Sequence, residues 1–463
     1  MPNTTKFNIN KDLLKRYERR GPRYTSYPTA PYFHQGIGPD DYIAELSRTN
    51  NQSDEPDLSL YFHIPFCKSK CLYCGCNSLP APGRAVVDEY INCLIKEMTI
   101  LKSMLNTARQ VVQIHFGGGT PNYLEISQIR TIFDEIIQSF NIADDSEISI
   151  ELDPRLLSGE YLSALRQTGF NRLSLGIQDL NPRIQKTVNR IHPEQKIREL
   201  VKNIRSLHFH SLNFDLIYGL PYQTLPEYED TLDRVLDMSP DRLAIYNFAY
   251  LPEIMHHQKQ LPAEALPAPE EKLDILNMII NKTTKAGYIY IGMDHFAKES
   301  DELAKAFRNN SLHRNFQGYT AKSGTEVIAM GTTAISQLRR MYTQNTKSQE
   351  KYFSMINKGI LPVEKGYMLN DDDIMRRYVI NQLMCNGFLS KNEFNQKFGT
   401  DFDEYFSVEI TELNGFIEDG LLVSNQHKIE VSGAGMLIVR NIAMVFDKYL
   451  KDNPPRKMYS KTL

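Results

Sequence analysis

The stretch "LSLYFHIPFCKSKCLYCGCN", residues 58–77, holds four of the chain's six cysteines: Cys67, Cys71, Cys74 and Cys76. Its opening "LSLYFHI" reads as a short apolar strand, which places the thiols in the loop that leaves the strand's C-terminal end. The first three follow a C-x3-C-x2-C spacing. Thiolate is a soft ligand suited to zinc, copper(I) or iron–sulfur clusters. Structural zinc sites usually bring ligands in two separated pairs, and no second CxxC or HxxxH occurs in the chain. Three thiolates on a cubane of four irons would leave one iron without a protein ligand, open to a small chelating molecule. A zinc knot with Cys76 as fourth ligand and simple buried thiols are the other readings of this spacing.

Working outward, a repeating rhythm follows. "VVQIHF" (111–116), "EISIEL" (147–152), "RLSLGI" (172–177), "LNFDLIY" (212–218) and "RLAIYNF" (242–248) read as further strands. Helical segments are expected near 86–104, 125–140, 158–168, 193–207 and 226–237. Strands alternating with helices predict a parallel sheet, and six such units predict an α/β fold built on an incomplete (β/α)6 barrel. In such folds the active residues gather at the C-terminal ends of the strands. The cysteines, "GGGTP" (117–121), Glu151, Gln178, Asp215 and Ala249 all fall at or near those ends.

Residues 1–55 are polar and turn-rich, and "RGPRYTSYPTAPYF" (20–33) reads as an extended aromatic arm over a larger body. Residues 56–364 would form the barrel. Residues 365–463 read as a small, mostly helical, winged-helix-like domain, with a hairpin at "LLVSNQHKIEVS" (421–432).

The 463 residues exceed a usual single domain, and a 41% hydrophobic fraction suffices for a substantial core. A net charge of −3 without long runs of one sign gives no sign of a nucleic-acid or membrane partner. The start "MPNTTKFNINKDLLKRYERR" has no apolar core of a secretory signal, and no run approaches a membrane span. Four clustered thiols with Cys93 and Cys385 scattered do not form an extracellular disulfide pattern. The chain is expected to be cytoplasmic, and monomeric for want of an interface signal.

The C-x3-C-x2-C loop after a first barrel strand resembles the radical S-adenosylmethionine (SAM) enzymes. Narrower matches, "PRYTSYPTAP", "HIPFC", "CGCN", "HFGGGTP", "ELDPR", "GFNRLSLGIQD", "VNR", "DLIYGLPYQT", "IGMDHFA", "HRNFQGYT" and "RNIAMVFD", span residues 20 to 450. They are similar to the oxygen-independent coproporphyrinogen III oxidases (dehydrogenases) of haem biosynthesis. The resemblance implies a [4Fe-4S] cluster on Cys67, Cys71 and Cys74, with Cys76 a non-ligand. It also implies two SAM molecules. The first would be met by Tyr61, Gly118, Glu151 and Ile335. The second would be met by Tyr73, where the family often has phenylalanine, and by Gly119, Thr120, Gln178, Arg190, Asp215 and Ala249. The implied reaction uses a 5′-deoxyadenosyl radical to convert two propionates of coproporphyrinogen III to vinyl groups, giving protoporphyrinogen IX. An electron donor of flavodoxin or ferredoxin type and a separate acceptor would serve it.

The residue types suit such roles. Glycines at 117–119 let the backbone approach a polar ligand. Asp215 can accept from ribose hydroxyls, and Arg190 can grip a carboxylate in two places. Taken singly, each also has a structural reading: a tight turn, an interior ion pair, a surface arginine. His63 reads equally as a hydrogen-bonded core residue. His295, and His313 with Arg314, stand in segments that could line a cavity for a porphyrinogen. A haem chaperone and a tetrapyrrole methyltransferase of the same superfamily are the rival readings. The chain has no tryptophan, and Phe116 stands where relatives may carry one.

Overall fold

Strand β1, Leu58–Ile64, buries Leu58, Leu60, Phe62 and Ile64 completely on one face and turns Tyr61 and His63 the other way. The period-2 pleat thus separates a packing face from a face that looks into the barrel. In the computed structural model, which describes residues 11–51, 54–452 and 459, β1 lies in a run of parallel strands. These are β2 (Gln110–Gly118), β3 (Asn141–Leu152), β4 (Arg172–Gln178), β5 (Ser211–Tyr218) and β6 (Arg242–Asn247). Helices Arg84–Lys102, Ile126–Ser139, Gly159–Thr168, Glu194–Ser206 and Leu225–Asp237 make the crossovers, each within two residues of the segment expected from sequence. The last starts cleanly because Thr224 and Glu227 form a capping box.

The sheet runs beyond the six strands. A hairpin of β7 (Tyr288–Gly292) and β8 (His295–Lys298) adds antiparallel to β6. On the other side β9 (Glu326–Met330) pairs parallel with β1, followed by antiparallel β10 (Ile335–Gln337), β11 (Met341–Asn345) and β12 (Val363–Met368). The order is β12-β11-β10-β9-β1-β2-β3-β4-β5-β6-β8-β7, so β12 and β7 are its edges and the barrel stays open. The six-unit core stands as expected, with a seventh parallel strand that sequence reasoning missed. Inside, Ser59, Gln113, Glu147 and Arg172, one from each of β1–β4, form a polar chain. Ser59 donates to Gln113 at 2.9 Å, Gln113 to Glu147 at 3.1 Å, and Arg172 lies 3.2 Å from Glu147. Such an interior suits a polar ligand space above it better than a sealed apolar core.

The stretch 20–33, read as an extended arm, carries only the short helical turn Ala30–Tyr32, between two helices of the flanking chain. Lys11–Tyr17 and Pro39–Asn50 are helices. Between them the chain is stitched to the far end of the sequence. Tyr24 donates to Asp447 at 2.8 Å, Tyr32 to the carbonyl of Tyr449 at 2.9 Å, and Arg440 to the carbonyls of Gly21 and Pro22. The C-terminal region is helical, with a small antiparallel sheet of Phe388–Ser390, Lys428–Val431 and Leu422–Ser424 that contains the expected hairpin. Residues 1–10, which carry part of the reading of a signal-free start, lie outside the described residues. So do 52–53, 453–458 and 460–463 of the expected arm and C-terminal segments.

Candidate active site

The cysteine loop is held by three other loops at the C-terminal end of the sheet. From the β2 side, the Gly119 N–H donates to the carbonyl of Ile64 at 2.8 Å. From the β4 side, Leu72 N–H donates to the Val188 carbonyl at 3.0 Å, and Asn189 donates to the Lys70 carbonyl at 2.9 Å. From the β6 side, His257 donates to the Cys74 carbonyl at 2.7 Å and Gln258 to the Tyr73 carbonyl at 3.3 Å. The loop's position is therefore a property of the whole barrel mouth.

Within it, each of the three expected ligand thiols receives a donor. Thr120 Oγ1 donates to Cys67 Sγ at 3.4 Å, Arg190 Nη1 to Cys71 Sγ at 3.5 Å, and the Cys76 N–H to Cys74 Sγ at 3.3 Å. Arg155 also reaches Cys71 Sγ at 3.8 Å. The Cys76 thiol hydrogen bond holds the Cys74 thiol down to about 6, against the effect of burial. Cys76 itself is exposed. Among the described residues no three His, Cys, Asp or Glu side chains close on the position of one metal ion. This donor set fits an iron–sulfur cluster: three soft ligands, each hydrogen-bonded from the protein, with cations of Arg155 and Arg190 beside them.

Around Tyr61 a second group assembles. Its hydroxyl lies 3.0 Å from His63 Nδ1, and its ring stacks on His115 at 5.8 Å. His63 is buried, and Thr333 lies 3.4 Å from its other ring nitrogen; burial pushes it down to about 4, so it is a neutral, bonded interior residue. Glu151 accepts from the Gly118 N–H at 3.1 Å and lies 3.3 Å from His115 Nε2. Burial works to raise its pKa, but the His115 hydrogen bond and charge win and hold it below the usual range. Its side chain is 43% exposed, so the carboxylate fronts open space at the barrel mouth. Tyr61, Ile335, Phe316 and Gln317 line a cavity of about 190 Å³, in which neither polar atom of Gln317 has a protein partner. "HRNFQGYT" drew notice for His313 and Arg314, yet Phe316 and Gln317 are the pair that meets Tyr61's cavity.

The remaining expected residues lie across the mouth. Arg190 is buried and spans the Gly176 carbonyl (2.7 Å), Asp153 (3.3 Å) and Cys71. A Cβ at Gly176 would lie 2.7 Å from its Nη2, which explains that glycine. Gln178 ends β4 with φ of +68°, a left-handed residue at a strand end. Asp215 accepts from Ser174 and Asn213, both at 2.9 Å, and burial pushes it up to about 6. Ala249 lines a larger cavity of about 620 Å³ between the β6 loop, the β7–β8 hairpin, Arg23 of the arm and Arg440.

The triple glycine has a packing cause beside the one its sequence suggests. A Cβ at Gly119 would lie 2.7 Å from the Pro65 carbonyl carbon. At Gly118, where φ is +116°, it would lie 2.6 Å from the His63 ring. These glycines let the β2 loop pack against β1 and the cysteine loop.

One clamp was invisible in sequence. Gln258, 2% exposed, donates to the carbonyls of both Tyr73 and Ala249 (3.3 and 3.2 Å) and accepts from the Leu251 N–H at 2.6 Å. Gln258→Leu keeps the volume and strands three part-buried backbone groups. We expect a loss of about 1–3 kcal/mol of stability, seen as a lower denaturant midpoint, and faster loss of iron on dilution. An unchanged midpoint would show that the clamp is incidental.

Two family models match the chain: the Radical SAM superfamily over residues 61–235 and the HemN C-terminal domain over 369–438. An oxygen-independent coproporphyrinogen III oxidase from Synechocystis sp. is 42% identical over 459 residues, covering 98% of both chains. The chain belongs to the oxygen-independent coproporphyrinogen III oxidases. The Pseudomonas aeruginosa member of this oxidase family is 42% identical over 441 residues, covering 95% of each chain. The solved Escherichia coli coproporphyrinogen III oxidase, described as a radical SAM enzyme, superposes with a TM-score of 0.91 at 40% identity, covering 96% of this chain and all of that one. As a member of the oxidase family the protein is a radical SAM enzyme, and that superfamily implies a [4Fe-4S] cluster and SAM. Among the described residues no helix is long and apolar enough to cross a membrane.

Proposed function

We propose that this protein carries out the oxygen-independent oxidative decarboxylation of two propionates of coproporphyrinogen III, giving protoporphyrinogen IX in cytoplasmic haem biosynthesis. The observation that carries the reading is the end-to-end likeness to the family, arm and C-terminal region included. Each propionate that becomes a vinyl group gives up carbon dioxide, one hydrogen atom, which ends in 5′-deoxyadenosine, and one electron, which goes to the acceptor. A bound cluster with SAM supplies the reductive cleavage that starts hydrogen abstraction at the propionate. An electron donor of flavodoxin or ferredoxin type and a separate acceptor complete the balance.

The residues divide the work by position. Cys67, Cys71 and Cys74 would hold the cluster. Tyr61, Gly118, Glu151 and Ile335 would hold one SAM. Tyr73, Gly119, Thr120, Gln178, Arg190, Asp215 and Ala249 would hold a second on the opposite side of the cysteine loop. The Glu151 carboxylate, kept charged by His115, suits an ammonium group. Asp215, buried beside Ser174 and Asn213, suits ribose hydroxyls. The protein's part is binding, orientation and exclusion of water, with the cofactors supplying the hard chemistry. On this reading residues 1–55, 56–364 and 365–463 act as arm, barrel and cover of one monomer, the arm and cover closing the open side over the substrate.

One anaerobic assay tests it: reduced, cluster-loaded protein with SAM and coproporphyrinogen III. Protoporphyrinogen IX and 5′-deoxyadenosine are the expected products. Tight haem binding without turnover would mean a chaperone, and a methylated tetrapyrrole would mean a methyltransferase.

A further inference from the structure

Between the two cavities lies a narrow crevice of about 20 Å³, walled on one side by the arm residues Tyr24–Tyr27 and on the other by His313, Arg314 and Arg377. It shares Gln337 with the cavity of Tyr61 and Ile335. Its Tyr24 directly follows Arg23, which lines the larger cavity. The volume admits one or two small polar groups and no ring.

The crevice carries charge without a counter-charge. Arg314 is 7% exposed, yet its Nε and Nη1 have no hydrogen-bond partner. Its guanidinium lies over the Tyr319 ring, 4.7 Å from the centroid, which fixes its plane before anything binds. On the facing wall the Ser26 hydroxyl is also buried and unpartnered. Among the described residues no acidic side chain lines the crevice. Of the acids nearby, Asp294 is paired with Arg23 and Asp447 accepts from Tyr24. A buried guanidinium with two idle donors is costly unless an anion meets it, and a carboxylate oxygen can accept a charged hydrogen bond from such a donor.

We infer that this crevice anchors a carboxylate of the tetrapyrrole, with Arg314 as its principal ligand and Ser26 of the arm as the second. This rests on the proposed substrate. The remaining propionates stay free to reach toward Tyr61 or the larger cavity. It also gives the arm a chemical task, because the crevice has no second wall without it. A carboxylate could come from SAM as well as from the tetrapyrrole, and the test separates the two.

The experiment titrates cluster-loaded wild-type protein, Arg314→Gln and Ser26→Ala anaerobically with coproporphyrin III, its tetramethyl ester and SAM. Arg314→Gln should weaken coproporphyrin III roughly tenfold to a hundredfold, the scale of a lost charged hydrogen-bond pair. Ser26→Ala should weaken it less, and neither should change binding of the ester or of SAM. Equal coproporphyrin III binding by wild type and both variants would overturn the anchor and leave the proposed function standing. Weakened SAM binding with unchanged coproporphyrin III would reassign the crevice to SAM and overturn the inference. No tetrapyrrole binding by the wild type would overturn both. Should Arg314→Gln fail to fold, as judged by circular dichroism and iron content, Ser26→Ala decides: unchanged affinity there counts against the anchor.

Discussion

Cys74→Ala is expected to leave the protein without iron and sulfide after anaerobic reconstitution, whereas Cys76→Ala retains both. Cys74 is one of three thiols that each accept a hydrogen bond from the protein, and the Cys76 backbone N–H is one of its donors. Alanine at 76 keeps that N–H. It removes the thiol, and with it the second hydrogen bond that Cys74 receives from Cys76. Loss of an outer partner typically weakens a metal site about 10–100-fold, so Cys76→Ala should bind its cluster less tightly but still show the visible absorbance of a loaded protein. Equal loss in both variants would make Cys76 a fourth ligand and would close the open iron that SAM binding needs.

The second large effect is steric. Gly119→Ala would place a methyl group 2.7 Å from the carbonyl carbon of Pro65 and 2.9 Å from the carbonyl oxygen of Phe66. Neither atom belongs to a flexible side chain, so the two loops must part. Overpacking of this kind costs about 1–3 kcal/mol, and here the strain falls on the segment that carries Cys67. A lower denaturant midpoint together with lost iron is expected. Gly75→Ala is the control: nothing lies within 4 Å of its would-be Cβ, although it sits between Cys74 and Cys76. If Gly75→Ala lost as much iron as Gly119→Ala, general intolerance of the loop would replace the packing explanation.

How much of this was legible beforehand follows from the range of the forces involved. β1 was read at Leu58–Ile64 and found there, because an apolar strand bounded by an aspartate and a proline is a local signal. β9, "EVIAM", escaped because a four-residue apolar run after a glutamate lacks a period, and its pairing with β1 depends on residues far away. The cysteine spacing was local as well. His63 beside Tyr61 was legible as an interior histidine. Gln258 was not, since an isolated glutamine in "HHQKQ" carries no pattern and its three partners meet only in the folded barrel. The glycines at 118 and 119 were recognised as close-approach positions, but the neighbour that forces them is protein, which only the packing of β1 against β2 reveals. Nor could the sequence show that Arg190 is already engaged by Gly176 and Asp153.

The stitching of the arm to the C-terminal region also sets an order of events during synthesis. Tyr24 finds Asp447 across 423 residues of chain. At about 5–20 residues per second, roughly 20–80 s pass between the emergence of the two. The cysteine loop is complete by residue 77, and its clamps at 189 and 257 appear well before residue 447 does. The nascent chain can therefore assemble and load the barrel while its active end is still uncovered, and the stretch around Tyr24, made early, is among the last to find its place.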